Sequence, residues 1–209
     1  MSTRSTAAPL WLAAALIPMI ASQLVRLHQT DLATWYFCDY AGRIGALAVL
    51  LAMPSARAVA FQRQQMLASQ WGAALTIVVG LVLANFFFEK WLTPTINAAI
   101  PGTALGMYPV SHGWLYAFDL IVGLVLVAYH EEIVFRRVAR HVFQKWLGDG
   151  YAMIVATSLL FAAYHWWSGI GNICSAFLLG VGLMLAYKRL GALWPVMLAH
   201  YLMDIAAFI

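Results

Sequence analysis

The chain has 209 residues, of which 64% are hydrophobic and only 10% are charged, and its mean hydropathy is +0.81. Soluble domains are nearer ~45–50% apolar and ~25% charged, so this composition excludes a water-soluble globular protein. The formal net charge of +4 does not indicate nucleic-acid binding, because Arg and Lys collect in the loops of membrane proteins and set their orientation.

Apolar segments bounded by charges, Gly and Pro predict seven helices, each close to the ~20 residues that span a bilayer. They cover residues 9–27, 34–53, 71–89, 114–146, 151–167, 171–188 and 192–208. The first segment is longer than the ~7–15-residue apolar core of a cleavable signal peptide, so we expect it to be retained. The predicted fold class is all-α, a polytopic membrane helical bundle of about seven transmembrane helices in a single domain over residues 1–209.

Basic residues predict the orientation of this bundle. Nine of them fall at helix ends that would share one side: Arg4, Arg57, Arg63, Arg136, Arg137, Arg140, Lys145, Lys188 and Arg189. Only Arg26 and Lys90 fall at the opposite ends. Because cytoplasmic loops carry the excess of Lys and Arg, we expect the amino terminus in the cytoplasm.

Ionisable side chains inside apolar segments are rare because each costs at least ~2.5–3.5 kcal/mol to insert, which makes them candidates for function. Asp39 and Arg43 lie four residues apart in the second helix and predict a structural ion pair on one face. Asp119 stands alone near the start of the fourth helix, where we expect an interfacial position. The remaining candidates fall on the fourth, fifth and seventh helices.

The fourth helix carries the sequence Glu131-Glu132-Ile-Val-Phe-Arg136. Glu132 and Arg136 are four residues apart, so we expect them to pair on one face. Glu131 points about 100° away around a 3.6-residue helix and needs a different partner. This asymmetry indicates one structural and one reactive carboxylate.

The fifth helix carries Phe161-Ala-Ala-Tyr-His165 after a Gly-Asp-Gly turn that begins at Gly148. Glu131 lies 17 residues before Gly148 and His165 lies 17 residues after it. In an antiparallel hairpin the two residues are therefore at matching heights, about 25 Å from the turn. We expect Glu131 and His165 to meet.

The seventh helix carries His200-Tyr-Leu-Met-Asp204, a pair that shares one helix face. His200 lies nine residues beyond Gly191, or about 14 Å along the helix, which is close to the level of Glu131 and His165. Three polar sites at similar depth predict one shared cavity.

A carboxylate beside an imidazole in a partly dry cavity is a general-base pair that activates a water for attack on a carbonyl. A second histidine, held by a neighbouring acid, donates hydrogen bonds to the developing oxyanion. No Ser or Cys is accompanied by an obvious base. The chemistry that fits these residues is water-mediated amide hydrolysis.

At these residues the chain resembles the CPBP group of intramembrane glutamic endopeptidases, which includes the type II CAAX prenyl proteases and bacteriocin-processing or self-immunity proteins. The three motifs of the group, EExxxR, FxxxH and HxxxN/D, occur in order within residues 114–209. The resemblance implies that a Glu and a His activate the water and that a second His supports the oxyanion. The implied catalytic residues are Glu131, His165, His200 and Asp204, and the implied supporting residues are Glu132 and Arg136.

The resemblance also implies a membrane-anchored protein or peptide as the substrate, within the lipid bilayer of a prokaryotic inner (plasma) membrane, and no cofactor or metal. A prenylated CAAX tail, a sorting tail and a leader peptide all remain open as substrates. The third motif ends in Asp204 where the prenyl proteases have Asn. An ionised acid cannot donate a hydrogen bond, so we expect Asp204 to orient His200.

Two alternatives stay open. One is a metal-dependent membrane protease, since Glu, His and Asp are metal ligands, although the second histidine of an HExxH helix is missing after His130-Glu131. The other is a non-enzymatic immunity protein or proton-coupled transporter, because intramembrane acids and histidines relay protons. Against it, no interrupted helix recurs in the two halves of the chain, as it does in many transporters.

Overall fold

A computed structural model describes residues 8–208, and these residues form helices without any β-strand, as the sequence predicted. Eight helices are present in this range. Their bounds are α1 Ala8–Arg26, α2 Leu32–Ala52, α3 Pro54–Ala60, α4 Ala68–Ala99, α5 113–147, α6 Tyr151–Tyr164, α7 Ile170–Leu190 and α8 Trp194–Ala206.

Each of the seven predicted helices is present, with one additional helix and clear differences at two helix ends. The short helix α3 was not predicted; it starts at Pro54, bent by 115° from α2, because proline has no N–H to continue α2 but fits the first turn of a new helix. Helix α4 continues past the charges at Glu89 and Lys90 through one π-helical turn, Phe88–Leu92, and ends at Ala99. Helix α6 ends at Tyr164, before the predicted end at residue 167.

Within residues 8–208, the helices α1, α4 and α7 are each long and apolar enough to cross a membrane, and α2 with α3 would make a fourth span. Helix α6 is apolar but only 14 residues long. The membrane helical bundle is therefore confirmed, whereas the count of seven transmembrane helices is not.

Helix α5 holds two π-helical turns, Asp119–Gly123 and Ile133–Ala139. Such turns widen the helix by one residue and are frequent at functional sites. The second turn begins directly after Glu131 and Glu132. The two glutamates thus lie where the regular α-helical hydrogen bonding of α5 is interrupted.

Below this point α5 is packed into the core against α1, α3 and α6. The packed segment is apolar and at most 2% exposed; its residues are Ile133, Val134, Phe135, Val138, Ala139 and Val142. Truncating a buried aromatic such as Phe135 to Ala costs about 3–5 kcal/mol. The segment therefore forms part of the core at this end of the bundle.

One end of the bundle carries most of the basic side chains, and we call it the basic face: Arg57, Arg63, Arg137, Arg140, Lys145, Lys188 and Arg189. Arg137 ties α5 to the end of α3, donating to the Ala60 carbonyl at 2.8 Å. Arg140 and Lys188 both contact Asp149 in the turn after α5. The ends of α3, α5 and α7 therefore meet on one side.

Two residues in the predicted orientation count are not loop residues. Arg26 and Arg136 are 2% and 0% exposed and make buried ion pairs, so neither one anchors the bundle at a membrane surface. Arg4 lies outside the described residues. The predicted difference in the number of basic residues between the two ends remains. Of the two cations counted at the end opposite the basic face, Lys90 is the one that is left.

The opposite end, which we call the loop face, is built from residues 27–31, 100–112 and 165–169. The second and third of these segments are joined by a hydrogen bond from Leu105 N to the Trp167 carbonyl at 2.8 Å. Near this face Asp119 is buried and accepts hydrogen bonds from the Tyr40 and Tyr108 hydroxyls at 2.6 and 2.9 Å. Asp119 is therefore not isolated, as it is in the sequence, because these two donors come from distant parts of the chain; its interfacial depth stays a prediction.

Candidate active site

A cavity of about 250 Å³ lies between α1, α2 and helices α4 to α8. The four residues predicted as catalytic, Glu131, His165, His200 and Asp204, all line it. They come from α5, from α8 and from the end of α6. The residues that the turns predicted to lie at similar heights therefore do line one cavity.

Glu131 has its two carboxylate oxygens in different surroundings. Its Oε1 accepts a hydrogen bond from Arg43 Nη1 at 2.6 Å. Its Oε2 is buried, has no hydrogen-bond partner within residues 8–208, and lies 3.9 Å from His200 Nε2. One oxygen is thus neutralised by a cation while the other is available for a reacting group.

Arg43 belongs to a chain of alternating charges that leads out of α5 and into α1. Its Nε donates to Asp39 Oδ2 at 2.9 Å, and Asp39 also pairs with Arg26. The predicted Asp39–Arg43 pair is confirmed. Its connection to Glu131 was not predicted, and only the planar fork of an arginine can hold two carboxylates in this way. We call Arg26, Asp39, Arg43 and Glu131 the ion chain.

Glu132 differs from its neighbour because both of its oxygens are paired. Oε2 accepts from Arg136 Nε at 2.9 Å, which confirms the predicted pair, and Oε1 lies 2.8 Å from His200 Nδ1. The side chain is fully buried. Glu132 therefore fastens α5 to α8 and is no longer available as a base.

His200 is oriented by Glu132 rather than by Asp204. A carboxylate only accepts hydrogen bonds, so the 2.8 Å contact places a proton on His200 Nδ1 and turns Nε2 toward the cavity. Asp204 Oδ1 is 3.7 Å from Nε2, too long for a hydrogen bond. The expected orienting role of Asp204 is therefore wrong, because Glu132 reaches the ring from the neighbouring helix.

His165 is the first residue after α6. Its Nδ1 is 2.8 Å from the Phe161 carbonyl, which only accepts, so Nδ1 carries the proton and Nε2 keeps a lone pair. The backbone then turns through residues 165–169, where Gly169 has a φ of +97° that favours glycine. Trp167 and Ser168 of this turn line the cavity; irregular backbone at membrane depth requires such a site.

The sequence flagged Arg43 and Asp39 as buried charges but not as part of the site. Four-residue spacing indicates which charges share a helix face, and carries no information about which neighbouring helix that face meets. Arg26 was assigned to a helix end at the membrane surface because it ends an apolar run. The available signal was that Glu131 has no cation three or four residues away on its own helix, so its partner had to come from another helix.

Within residues 8–208, no group of three or more His, Cys, Asp or Glu side chains is arranged to hold a metal ion. His200 lies within 4 Å of Glu131 and of Asp204, whereas the polar contact of His165 is with the Phe161 carbonyl. The alternative of a metal-dependent protease thus has no assembled ligand set in this range, and it remains a matter for chelator experiments.

Comparison with known proteins gives one match. Residues 112–206 match the family model described as Type II CAAX prenyl endopeptidase Rce1-like. No curated protein and no solved structure matches the chain significantly. The matched segment covers α5 to α8 with all three motifs, lies outside α1 to α4, and supports a membrane protease in general terms. The resemblance to the type II CAAX prenyl endopeptidases is therefore confirmed over residues 112–206.

Proposed function

We propose that this protein is an intramembrane endopeptidase that hydrolyses a peptide bond of a membrane-associated protein or peptide. The observation that carries this proposal is the arrangement at Glu131, whose Oε1 is held by Arg43 while its Oε2 is unpartnered among the described residues. His165 and His200 line the same cavity. A buried polar atom without a protein partner is a place where a water is held.

The first step activates that water. Glu131 Oε2 and the lone pair on His165 Nε2 accept its two hydrogens, and the water oxygen attacks the carbonyl carbon of the scissile bond as one proton passes to this pair. A positioned general base contributes about 10²–10⁴-fold to such a reaction. The product of the step is a tetrahedral intermediate with a negative oxygen.

The second step stabilises that oxygen and breaks the C–N bond. His200 is held by Glu132, so its Nε2 faces the cavity and donates to the oxyanion whenever it carries a proton. Collapse of the intermediate expels the amine, which takes the proton held by Glu131 and His165. Asp204 lies beside Nε2 on the same side, with its Oδ1 at 3.7 Å.

The remaining charges keep this arrangement in place. Arg43 prevents Glu131 from rotating its free oxygen away from the cavity, and Arg136 completes the fixing of Glu132. Arg136 also lies over the Phe161 ring, 4.5 Å from its centroid, so the first two motifs are packed together. These are positioning residues, since neither one touches the bond that breaks.

The experiment that tests this function is a comparison of membrane-protein termini in cells that carry the wild-type protein, Glu131→Ala or His165→Ala. We expect a small set of new termini that requires the wild-type protein and is absent from both variants. The exposed Asp31→Asn variant, matched in expression, should behave as wild type. An identical set of termini in all four strains would reject the proposal and favour a non-enzymatic role.

The metal-dependent alternative is tested with purified protein. Cleavage by the Glu–His pair needs no metal, so activity toward a substrate found in the termini comparison should persist in a strong chelator. Loss of activity in chelator, with recovery on adding a divalent metal, would favour the alternative.

We also propose that the protein lies in a prokaryotic inner membrane with its amino terminus in the cytoplasm. The support is the basic face, since cytoplasmic ends carry the excess of Lys and Arg. Helix α8 starts near this face and runs toward the loop face, which places the carboxyl terminus on the opposite side.

A further inference from the structure

The cavity extends from Glu131 toward the loop face. Beyond the catalytic residues its lining continues through side chains near that face: Glu89, Tyr108, Ser168, Asn172 and Phe208. Glu89 is exposed at the π-helical turn of α4, and Ser168 and Tyr108 belong to the irregular segments of the loop face. The reacting groups are therefore reached from this end of the bundle.

The cavity has no lining residue from the basic face. Between Glu131 and that face lies the packed segment of α5, in which Val134, Phe135 and Val138 have no exposed surface. A polypeptide approaching from the basic face would have to displace this core, and burying a polar backbone in it without hydrogen bonds is unfavourable by several kcal/mol. A separate cavity of about 230 Å³ near the basic face reaches Tyr129 and Ile133, but it shares no lining residue with the catalytic cavity. The catalytic cavity therefore does not open toward the basic face.

A smaller cavity of about 200 Å³ lies at the loop face, lined by residues of the segments 27–32 and 105–109. Arg26 and Trp167 line both this cavity and the catalytic cavity. The Arg26 guanidinium lies 4.6 Å from the Trp35 ring centroid and 4.8 Å from that of Trp167. Arg26 and its two tryptophans thus lie between the catalytic cavity and this smaller cavity.

The two faces carry opposite charge patterns. The basic face has seven cations that include Arg57, Arg137 and Lys188. The loop face and its surroundings carry Lys90 together with the acids Asp31 and Glu89. By the distribution of Lys and Arg in membrane proteins, the basic face is cytoplasmic and the loop face is extracytoplasmic.

From these observations we infer that the catalytic cavity receives its substrate from the extracytoplasmic side of the membrane. The substrate class is then an exported protein or peptide, held in the bilayer by an apolar segment and cut near the outer end of that segment. A tail that remains in the cytoplasm faces the end of the bundle toward which the catalytic cavity does not open. This inference rests on the proposed peptidase function and narrows its substrates.

The orientation is tested by labelling single cysteines with a membrane-impermeant maleimide. In a chain with Cys38→Ala and Cys174→Ala, Met107→Cys reports on the loop face and Trp146→Cys on the end of α5 at the basic face; the native side chains are 80% and 63% exposed. We expect Met107→Cys to react in intact cells and Trp146→Cys only after the cells are opened. The reverse pattern would overturn the inference.

A phosphatase fused to the carboxyl terminus of the otherwise native chain gives the same information without altering any cysteine. An active fusion is expected, because α8 ends at the loop face. A fusion that is inactive although it is stably made would contradict the assigned side.

The substrate side is tested with the termini that depend on Glu131. We expect each new terminus to lie on the extracytoplasmic side of the apolar segment of its protein. New termini on the cytoplasmic side would overturn this inference and leave the peptidase function standing. An absence of Glu131-dependent termini, with the labelling pattern as expected, would reject the function while leaving the orientation in place.

Discussion

Residues 112–206, which match the protease family, supply the cavity with Glu131, His165 and His200, whereas α1 and α2, outside the match, supply charges that include Asp39 and Arg43. In the proposed mechanism the first region carries the groups that react. The second region carries the cation that fixes one of them, at 2.6 Å from Glu131. The motifs therefore identify the proposed reacting groups, while part of the surroundings that hold them comes from helices with no motif.

The largest effect on activity is expected when the Glu131 carboxylate alone is removed. Glu131→Gln keeps the size of the side chain and its contact with Arg43 but cannot accept a proton from water. We expect cleavage of a native substrate to fall by about 10²–10⁴-fold, with little change in thermal stability because Arg43 keeps Asp39 as its partner. Normal cleavage by this variant would remove Glu131 from the mechanism.

The adjacent glutamate should respond in a different way. Glu132→Gln leaves the fully buried Arg136 without a carboxylate, and breaking a buried ion pair in this manner costs about 3–5 kcal/mol. We expect a clear fall in the unfolding temperature measured in detergent, together with loss of activity. Unchanged stability would show that Glu132 is not the structural member of the pair.

The contribution of the unmatched region is tested at Arg43. Arg43→Ala leaves Asp39 and Glu131 without this cation, so we expect a loss of stability of about 3–5 kcal/mol and a loss of activity. Arg43→Lys keeps the charge without the planar fork and should recover most of the stability and only part of the activity. Equal recovery of both quantities would mean that Arg43 acts through folding alone.

Asp204 stands where the motif of the prenyl proteases has an asparagine, so variants at this position test whether an acid or an amide is needed. Asp204→Asn supplies an N–H donor beside His200 Nε2, where the native acid offers acceptors, so we expect activity within about tenfold of wild type, since one hydrogen bond contributes about 0.5–1.5 kcal/mol. Asp204→Leu, similar in size and without polar atoms, should lose more. If both variants are equally inactive, the side chain acts as an ionised group.

The smallest effect is expected at the exposed ion pairs of the basic face. Burial tends to raise the pKa of Asp149, but hydrogen bonds from Arg140 and Lys188 outweigh it and hold the pKa below the ordinary value of 3.8. The folded form therefore gains stability above that value and loses it as the pH falls further. Because Asp149 is 41% exposed, the gain is at most about 1 kcal/mol.

This effect is measured as the difference in unfolding temperature between wild type and Asp149→Asn. We expect a small difference at pH 7 that shrinks as the pH falls below 3.8. A large difference at pH 7 would show that exposed charges hold this bundle together as strongly as the buried ones.

The sequence predicted the all-helical fold and the set of residues around the cavity because both depend on local spacing. Apolar runs locate helices, four-residue spacing locates shared faces, and the two turns at Gly148 and Gly191 place the heights of the polar groups. These features need no knowledge of how the helices are arranged side by side.

The features of the site that the sequence did not predict depend on contacts between helices that are distant in the chain. The ion pair from Arg43 to Glu131 and the hydrogen bond from His200 to Glu132 join residues 88 and 68 positions apart. Asp204 was given the role of Glu132 because it was the nearest acid along the helix, yet the acid that touches His200 lies on a neighbouring helix. The π-helical turns of α5 also leave no periodic signal in the sequence.

The central claim is that Glu131 and His165 act together on one water, and a double-variant cycle tests it most directly. Residues that work as one unit are strongly non-additive, so their joint removal is no worse than the more harmful single change. We predict that Glu131→Ala with His165→Ala cleaves a native substrate as slowly as the slower single variant. Losses that multiply, with each residue contributing its full factor in the absence of the other, would contradict the account.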